Sequence, residues 1–302
     1  MRTDPDSTDF DAIVIGGSYA GMSAAMQLAR ARRKILVIDA GQRRNRFAGT
    51  SHGFLGQDGR APDVIAAEAR AQLLAYPSVR WLDGSVTRVD SVADENFIAM
   101  VSSGESFRAT RLVLATGVVD ELPAIDGLAE RWGRSVFHCP YCHGYELNNG
   151  RIGVLARGEI SLHHALMLPD WGQVTLFIDG SFVPDEKQLA ELSGRRVTIE
   201  YERVARITET ATVELIDGRS LPLDGLFALP RIRMAGPVAE QLGCAFDEGP
   251  TGSFIRTDAM KATTVPGVFA CGDAARAAGT VALAVGDGAL AGASAHRSMI
   301  FR

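Results

Sequence analysis

Cysteine is scarce in this chain of 302 residues, which holds four. That is too few for a disulfide-stapled scaffold, and two of them, Cys244 and Cys271, stand alone. Basic residues are not in excess. Lys and Arg number 31 against 36 Asp and Glu, for a net charge of −5, so no broad basic face is implied for nucleic acid or an anionic membrane. Long apolar runs are missing as well. The longest near the N-terminus, residues 12–15, is far short of a signal core or a membrane span. With no export segment, the expected setting is the reducing cytoplasm. What remains is an ordinary globular composition, 46% hydrophobic and 22% charged, in a chain long enough for two domains.

The other two cysteines fall together in His138-Cys139-Pro140-Tyr141-Cys142-His143-Gly144-Tyr145-Glu146. A Cys-X-X-Cys loop closes a small disulfide, and it holds one sulfur as a thiolate where a cation is near. His138 and His143 flank the pair and offer groups that take and return a proton. The reading is a redox-active dithiol, in keeping with a reducing compartment, where such a pair tends to be catalytic. On the motif alone three others stand beside it. One is c-type haem attachment, which needs export. Another is half of a zinc site, which wants four ligands where no second pair is present. The last is a pair of inert thiols used as apolar filler.

A nucleotide-binding pattern comes earlier. Residues 10–15 read as a buried strand, Gly16-x-Ser18-x-x-Gly21 as a turn, and Ala24, Ala25, Leu28 and Ala29 as the packed face of a helix. Residues 34–38 form a second apolar strand, closed by Asp39. An acid about 20 residues beyond such a turn completes the βαβ layout of a dinucleotide site. Gly16 permits the tight turn and Gly21 lets helix and strand pack closely. The helix N-terminus faces a pyrophosphate and Asp39 accepts from a ribose. Serine at 18 replaces the middle glycine of the usual fingerprint. Arg43, Arg44 and Arg46 form a basic cluster that suits a phosphate or a solvated loop equally.

The rest of the chain reads more coarsely. Residues 1–9 look like a loose tail, 52–59 a glycine-rich loop, 61–74 a helix and 79–89 strands. Residues 97–101 and 107–111 suggest a hairpin, and 112–114 a further buried strand ending at Ala115-Thr116-Gly117. A second βαβ follows, with strands at 151–156 and 174–178 around a helix at 159–168. His163 and His164 on that helix read as surface residues.

The βαβ, the Ala115-Thr116-Gly117 turn, the Cys139–Cys142 motif and Pro266-Gly-Val-Phe-Ala-Cys271-Gly272-Asp273 arrive in one order. Together they resemble the low-molecular-weight thioredoxin reductase type of flavin-dependent disulfide oxidoreductase, over almost the whole chain. The resemblance implies an α/β fold of two Rossmann-like, three-layer domains, the second inserted in the first. Residues 1–117 and 231–302 would bind FAD, and residues 118–230 would form an NAD(P)-binding-like domain carrying the Cys pair. It places the FAD contacts at Gly16, Gly17, Ser18, Ala20, Gly21, Asp39, Ala40, Arg46, Val86, Thr116, Gly117, Gly272, Asp273, Val281 and Ala282. A helix after Thr280 would point its N-terminus at the flavin. The resemblance also implies a homodimer.

Two departures narrow the reading. The reductases carry Gly-x-Gly-x-x-Ala at the second turn and a basic run after the next strand, both for NADPH. Here the turn is Ala156-Arg-Gly158-Glu-Ile-Ser161, with Glu159 where a pyrophosphate approaches, and Phe177-Ile-Asp179-Gly-Ser-Phe182 supplies no cation. Both features argue against NADP(H). Where the reductases place an acidic residue after the second cysteine, this chain has His143. Cys-Pro-Tyr-Cys-His-Gly-Tyr-Glu resembles instead the dithiol oxidases of natural-product pathways, which close disulfides of the gliotoxin, holomycin and depsipeptide kind.

By that resemblance Cys142 faces the flavin and Cys139 exchanges with a small-molecule dithiol, electrons passing to FAD and then to O2 or a nicotinamide. His143, and after it His138, is the candidate base. The alternative enzyme is an NADPH-dependent reductase of thioredoxin or a similar protein. A flavin-binding redox sensor without turnover is the reading from another class. Tyr141 and Tyr145 suit a pocket or plain packing, and Glu146 suits an orienting role or solvent. Cys271 reads as a small buried residue, and nothing matches a metal site.

Overall fold

The computed structural model describes residues 7–92 and 96–301. Residues 1–6 of the expected tail lie outside them. Contacts divide the chain into two compact units.

Met1–Arg44, Asp63–Val119 and Ile232–Arg302 make up the first. The apolar run at residues 10–15 becomes β1 (Asp9–Ile15), and Gly16 turns the chain into α1 (Tyr19–Arg30) and then β2 (Ile35–Asp39). Both strands are buried nearly end to end, the pattern of parallel strands covered on two faces. α2 (Pro62–Leu74) leads to β3 (Val79–Asp83), β4 (Val86–Val92), β5 (Asn96–Val101) and β6 (Ser106–Leu114). The sheet runs β3-β2-β1-β6, with strand Val268–Ala270 parallel on the far side of β6. That is the 3-2-1-4-5 order of a dinucleotide fold.

The expected hairpin strand at 107–111 and buried strand at 112–114 are a single strand, β6. Its first half pairs antiparallel with β5 and its last residues pair parallel with Val268–Ala270. β1 covers its other edge throughout, so only the outer edge changes neighbour midway. A second detail fixes the helices. A Cβ on Gly288 or Gly292 of the C-terminal helix Val281–Ser298 would run into the Ala20 or Ala24 carbonyl of α1. Only glycine lets two backbones come so close.

The second unit is Asp120–Arg231 together with Asn45–Pro62, a loop that lies between β2 and α2 in sequence. Its sheet is all parallel, in the order Thr198–Glu200, Gln173–Phe177, Arg151–Leu155, Gly225–Ala228 and Val136–Phe137; the first four repeat the 3-2-1-4 order, but the fifth precedes them in sequence where Val268–Ala270 comes last. Leu176, Phe177, Leu226 and Phe227 are fully buried within it. The helix expected at 159–168 is broken into a 3-10 turn Glu159–Ser161, an α-helix Leu162–Met167 and a second 3-10 turn Leu168–Asp170. Gly158 (φ +111°) starts it, and Pro169, lacking an N–H, ends it. His164 is not on the surface as expected. It is buried at 4% exposure, edge-on to Phe227 at 6.1 Å, and burial pulls its pKa down to about 4. His163 is exposed, as read.

Candidate active site

Strand Val136–Phe137 delivers the chain to Cys139, whose extended backbone caps the one-turn helix Pro140–His143. Proline suits a first helical position because the N–H it lacks has no helical partner there. The turn brings the Cα atoms of Cys139 and Cys142 to 5.3 Å, and their sulfurs are joined as a disulfide. The Cys142 N–H donates to the Cys139 carbonyl (3.2 Å) and the Gly144 N–H to the Pro140 carbonyl (2.7 Å). A Cβ on Gly144 would press on the Trp171 indole at 2.9 Å, so glycine lets this turn lie on Trp171. Tyr141 meets the same indole edge-on at 5.5 Å. Tyr141 and Tyr145 are 70% and 83% exposed, so neither is core packing.

The histidines differ sharply in setting. His143 stacks on Phe137 at 4.2 Å between ring centres. Burial pulls its pKa down to about 4, and the charge on His52 pushes the same way. Its imidazole is therefore neutral at neutral pH and a weak base. Moving a proton to it from a thiol of ordinary pKa about 8.5 is uphill by about 6 kcal/mol. That lies far below the poise which the sequence reading asks of a base. His138 stacks on Trp132 at 5.8 Å.

The sequence reading passed over His52, which falls in the glycine-rich loop. Phe47 packs on Gly133, where a Cβ would come within 2.8 Å of the Phe47 Cβ. Further along, a Cβ on Gly53 would lie 4.0 Å from the Tyr141 carbonyl. The loop thus rests on the Cys139–Cys142 segment. His52 Nδ1 stands 3.4 Å from Glu146 Oε1 and 3.6 Å from Asp58 Oδ1, and Nε2 stands 3.0 Å from Thr50 Oγ1. Glu146, left open by the sequence, faces this histidine. No spacing rule could have found the pair, because the contact depends on a loop folding back from another part of the chain.

The first unit holds the nucleotide turn. Gly16 has φ +102°, and a Cβ there would run into the Ala115 carbonyl. The Gly17 N–H donates to Asp39 Oδ1 (2.9 Å). Ser18 precedes α1 and makes no side-chain cap hydrogen bond to it. A Cβ on Gly272 would press on Ala20 at 2.8 Å, so the Gly272-Asp273 turn lies against the same helix start. Of the basic cluster, Arg44 pairs with Asp273 at 2.9 Å and Arg46 lies over the Phe47 ring at 4.2 Å. Thr280 Oγ1 caps the C-terminal helix by accepting from the Leu283 N–H (3.2 Å), with Val281 and Ala282 in its first turn. Val86 opens β4, Ala40 follows β2, and Thr116 and Gly117 (φ +70°) follow β6. A side-chain-free turn, an uncapped helix start and a carboxylate suit a pyrophosphate joined to a ribose, both of which FAD has.

A family model described as pyridine nucleotide-disulphide oxidoreductase matches residues 10–288. The chain belongs to this family. Thioredoxin reductase sirT of Leptosphaeria maculans is 31% identical over 308 residues, covering 95% of this chain and 93% of its own. Among solved structures, an oxidoreductase from Agrobacterium tumefaciens is similar at TM-score 0.94 and 58% identity, covering 97% of this chain and 99% of its own. HlmI is similar at TM-score 0.91 and 33% identity, covering 99% and 94%. Membership implies a flavin, in agreement with the cradle at the first turn. Among the described residues, no helix is long and apolar enough to cross a membrane.

In this disulfide oxidoreductase the second βα turn is built differently. Ser161 Oγ accepts from the Arg157 N–H (2.9 Å), closing the turn on itself. The Arg157 guanidinium reaches the Glu121 and Leu229 carbonyls (3.3 Å each). Asp179, at φ +51°, accepts from the Val204 N–H (2.9 Å). The run 177–182 carries no cation, as read, but Arg203 brings one from outside it. A Cβ on Gly180 would lie 3.0 Å from that guanidinium.

Proposed function

We propose that this protein is an FAD-dependent dithiol oxidase that closes a disulfide in a small-molecule dithiol through Cys139 and Cys142. The observation that carries the reading is the closed Cys139–Cys142 disulfide on a turn rimmed by exposed tyrosines, where a histidine and not a carboxylate follows the second sulfur. FAD, when bound, supplies a two-electron sink that discharges to dioxygen. Gly16, Gly17 and Ser18 at the start of α1 would hold its pyrophosphate, and Asp39 its ribose.

The chain's own groups do the rest. A substrate thiolate attacks the Cys139 sulfur, and Cys142 leaves as a thiolate. The second substrate thiolate then displaces Cys139, so the product leaves as a disulfide and the pair is left reduced. His143, next to Cys142 in the chain and held flat on Phe137, is neutral at neutral pH. The closed second turn favours dioxygen over a nicotinamide as acceptor.

Arg203 beside Gly180 favours a second reading, an NADPH-dependent disulfide reductase, because a guanidinium suits a 2′-phosphate. One anaerobic experiment separates them. The flavin-loaded protein is mixed with NADPH or with a panel of small dithiols, and flavin absorbance is followed. Bleaching by a dithiol alone supports the oxidase, bleaching by NADPH alone overturns it, and bleaching by neither overturns both.

A further inference from the structure

The first nucleotide turn gathers carboxylates where its cofactor brings phosphates. Asp39 accepts from the Gly17 N–H at 2.9 Å. A Cβ on Gly272 would come within 2.8 Å of the Ala20 Cβ in the first turn of α1, so Asp273 follows at the same end of that helix. FAD carries a negative charge on each phosphate, and carboxylates left unopposed there would repel it. The start of α1 supplies only about half a positive charge. We infer that Arg44 is the cation that offsets Asp273 and so lets the FAD pyrophosphate share this cradle. The inference rests on the reading of the first turn as an FAD site.

In sequence the cluster Arg43, Arg44 and Arg46 suits a phosphate or a solvated loop equally, and the structure separates its members. Gly41, at φ +72°, bends the chain just after Asp39 and β2. Arg44 follows, and its guanidinium stands 2.9 Å from Asp273 Oδ2, with the two side chains 22% and 21% exposed. A pair so sheltered is screened by salt less than one on the surface. The other oxygen of the carboxylate is enclosed as well, because a Cβ on Gly279 would run into Asp273 Oδ1. Thr280, the next residue, caps the C-terminal helix through the Leu283 N–H. Asp273 is thus fixed between Arg44 and the segment entering that helix, and its charge has to be met where it stands. Arg46 is the loop residue of the cluster, exposed and lying over the Phe47 ring at 4.2 Å. The cation expected at position 46 therefore stands two residues earlier. Arg44 acts through Asp273 and is a positioning residue.

The test reads cofactor binding and needs no substrate. Flavin is stripped from the full chain and FAD is titrated back at rising potassium chloride. Flavin fluorescence gives the Kd and circular dichroism the fold. Arg44→Gln should weaken FAD binding about 10–100-fold at low salt, the size of one interaction with a charged group, while Arg44→Lys keeps most of the affinity. The loss should shrink as salt rises, because added ions screen the carboxylate that Arg44 no longer meets. A side chain that merely packed would weaken binding equally at every salt concentration. In the Asp273→Asn background, Arg44→Gln should cost no more than about threefold, since the charge it offsets is gone. Should Arg44→Gln fold poorly, Asp273→Asn alone decides. It leaves Arg44 unopposed, so its FAD affinity should fall more steeply with salt than that of wild type, and superimposed slopes overturn the inference. It is overturned equally by Arg44→Gln binding FAD as wild type does, by a loss that ignores salt, or by an undiminished loss in the Asp273→Asn background. Wild type that takes up no FAD overturns the FAD reading itself, an outcome that no Arg44 variant can produce.

Discussion

The two βα turns of this molecule follow similar strands and are closed by different contacts. Each follows the central strand of its sheet, with the four strands around it in the same 3-2-1-4 order, but the first opens directly on Gly16 (φ +102°), whereas the second opens on Ala156 and reaches Gly158 (φ +111°) two residues later. In the first, the acid closing the next strand turns back: Asp39 accepts from Gly17 and stays beside the turn. In the second, the corresponding Asp179 turns away and accepts from Val204. The first turn leads into a regular helix of 12 residues whose start has no side-chain cap. The second leads into a 3-10 turn whose Ser161 already takes the Arg157 amide. What separates the two turns is therefore less the glycine than the partners of the backbone amides around it. In both turns one amide is already bonded, Gly17 to Asp39 and Arg157 to Ser161, but only the first leads into a long helix without a side-chain cap.

The sharpest way to break this contrast is a matched pair of substitutions. Gly16→Val places a side chain against the Ala115 carbonyl and should abolish FAD uptake. Gly158→Ala meets nothing within 4 Å and strains only the backbone, at about 1–3 kcal/mol for a residue at φ +111°, ψ −176°, so FAD content and dithiol turnover should persist. Flavin-to-protein ratios of the two purified variants check this. Equal flavin loss in both would remove the distinction.

Next in size are the sulfurs. Cys139→Ser and Cys142→Ser should each lower dithiol-driven flavin bleaching by at least about 10³-fold while leaving the flavin bound, because exchange needs both thiols and the cradle needs neither. Stopped-flow absorbance gives the rate and the bound-flavin spectrum together.

A third difference is acid stability, placed in the second unit by His164. Its pKa falls from the ordinary 6.5 to about 4 through burial, with the charge of His163 adding to this. Between those values the unfolded chain binds the proton and the folded one does not, so stability is full above pH 6.5 and drains as pH falls toward 4. A buried group with this shift costs about 3 kcal/mol by pH 4. His164→Leu, which also removes an Nδ1 with no hydrogen-bond partner, should be nearly neutral at pH 7 and recover most of that loss at pH 4.5, read from urea midpoints. A variant as acid-labile as wild type would refute the assignment.

The first nucleotide turn was legible because its signals are local: a strand, glycines, small residues on one helix face and an acid at the expected distance. The Cys139–Cys142 turn was legible for the same reason. Three things were not. His164 shares its polar appearance with His163, and only the packing of Phe227 shows which faces inward. β6 looked like two strands because its outer edge changes partner, and a sequence window cannot see an edge. His52 meets Glu146, and Arg203 meets Gly180, through loops that return from elsewhere, so no pattern in either segment announces the contact.

The smallest expected effect bears on whether charge or shape closes the second turn. Asp179→Asn keeps an oxygen to accept from Val204, and asparagine tolerates the left-handed backbone at φ +51°, so stability should change by less than about 1 kcal/mol. The substitution removes one negative charge close to the Arg203 guanidinium and leaves the turn's hydrogen bonds intact. If repulsion alone excluded NADPH, the variant should become reducible by NADPH at a rate near that of dithiols. The Ser161 hydroxyl would still occupy the Arg157 amide, and Glu159 would still face the helix start. The expected outcome is therefore a gain of no more than about tenfold, worth about 1.4 kcal/mol, over a negligible NADPH-driven bleaching. Adding Glu159→Gln and Ser161→Ala should raise it further, because those changes remove the second charge and free the amide. Fast NADPH bleaching in Asp179→Asn alone would show that the two turns differ by one charge and not by architecture.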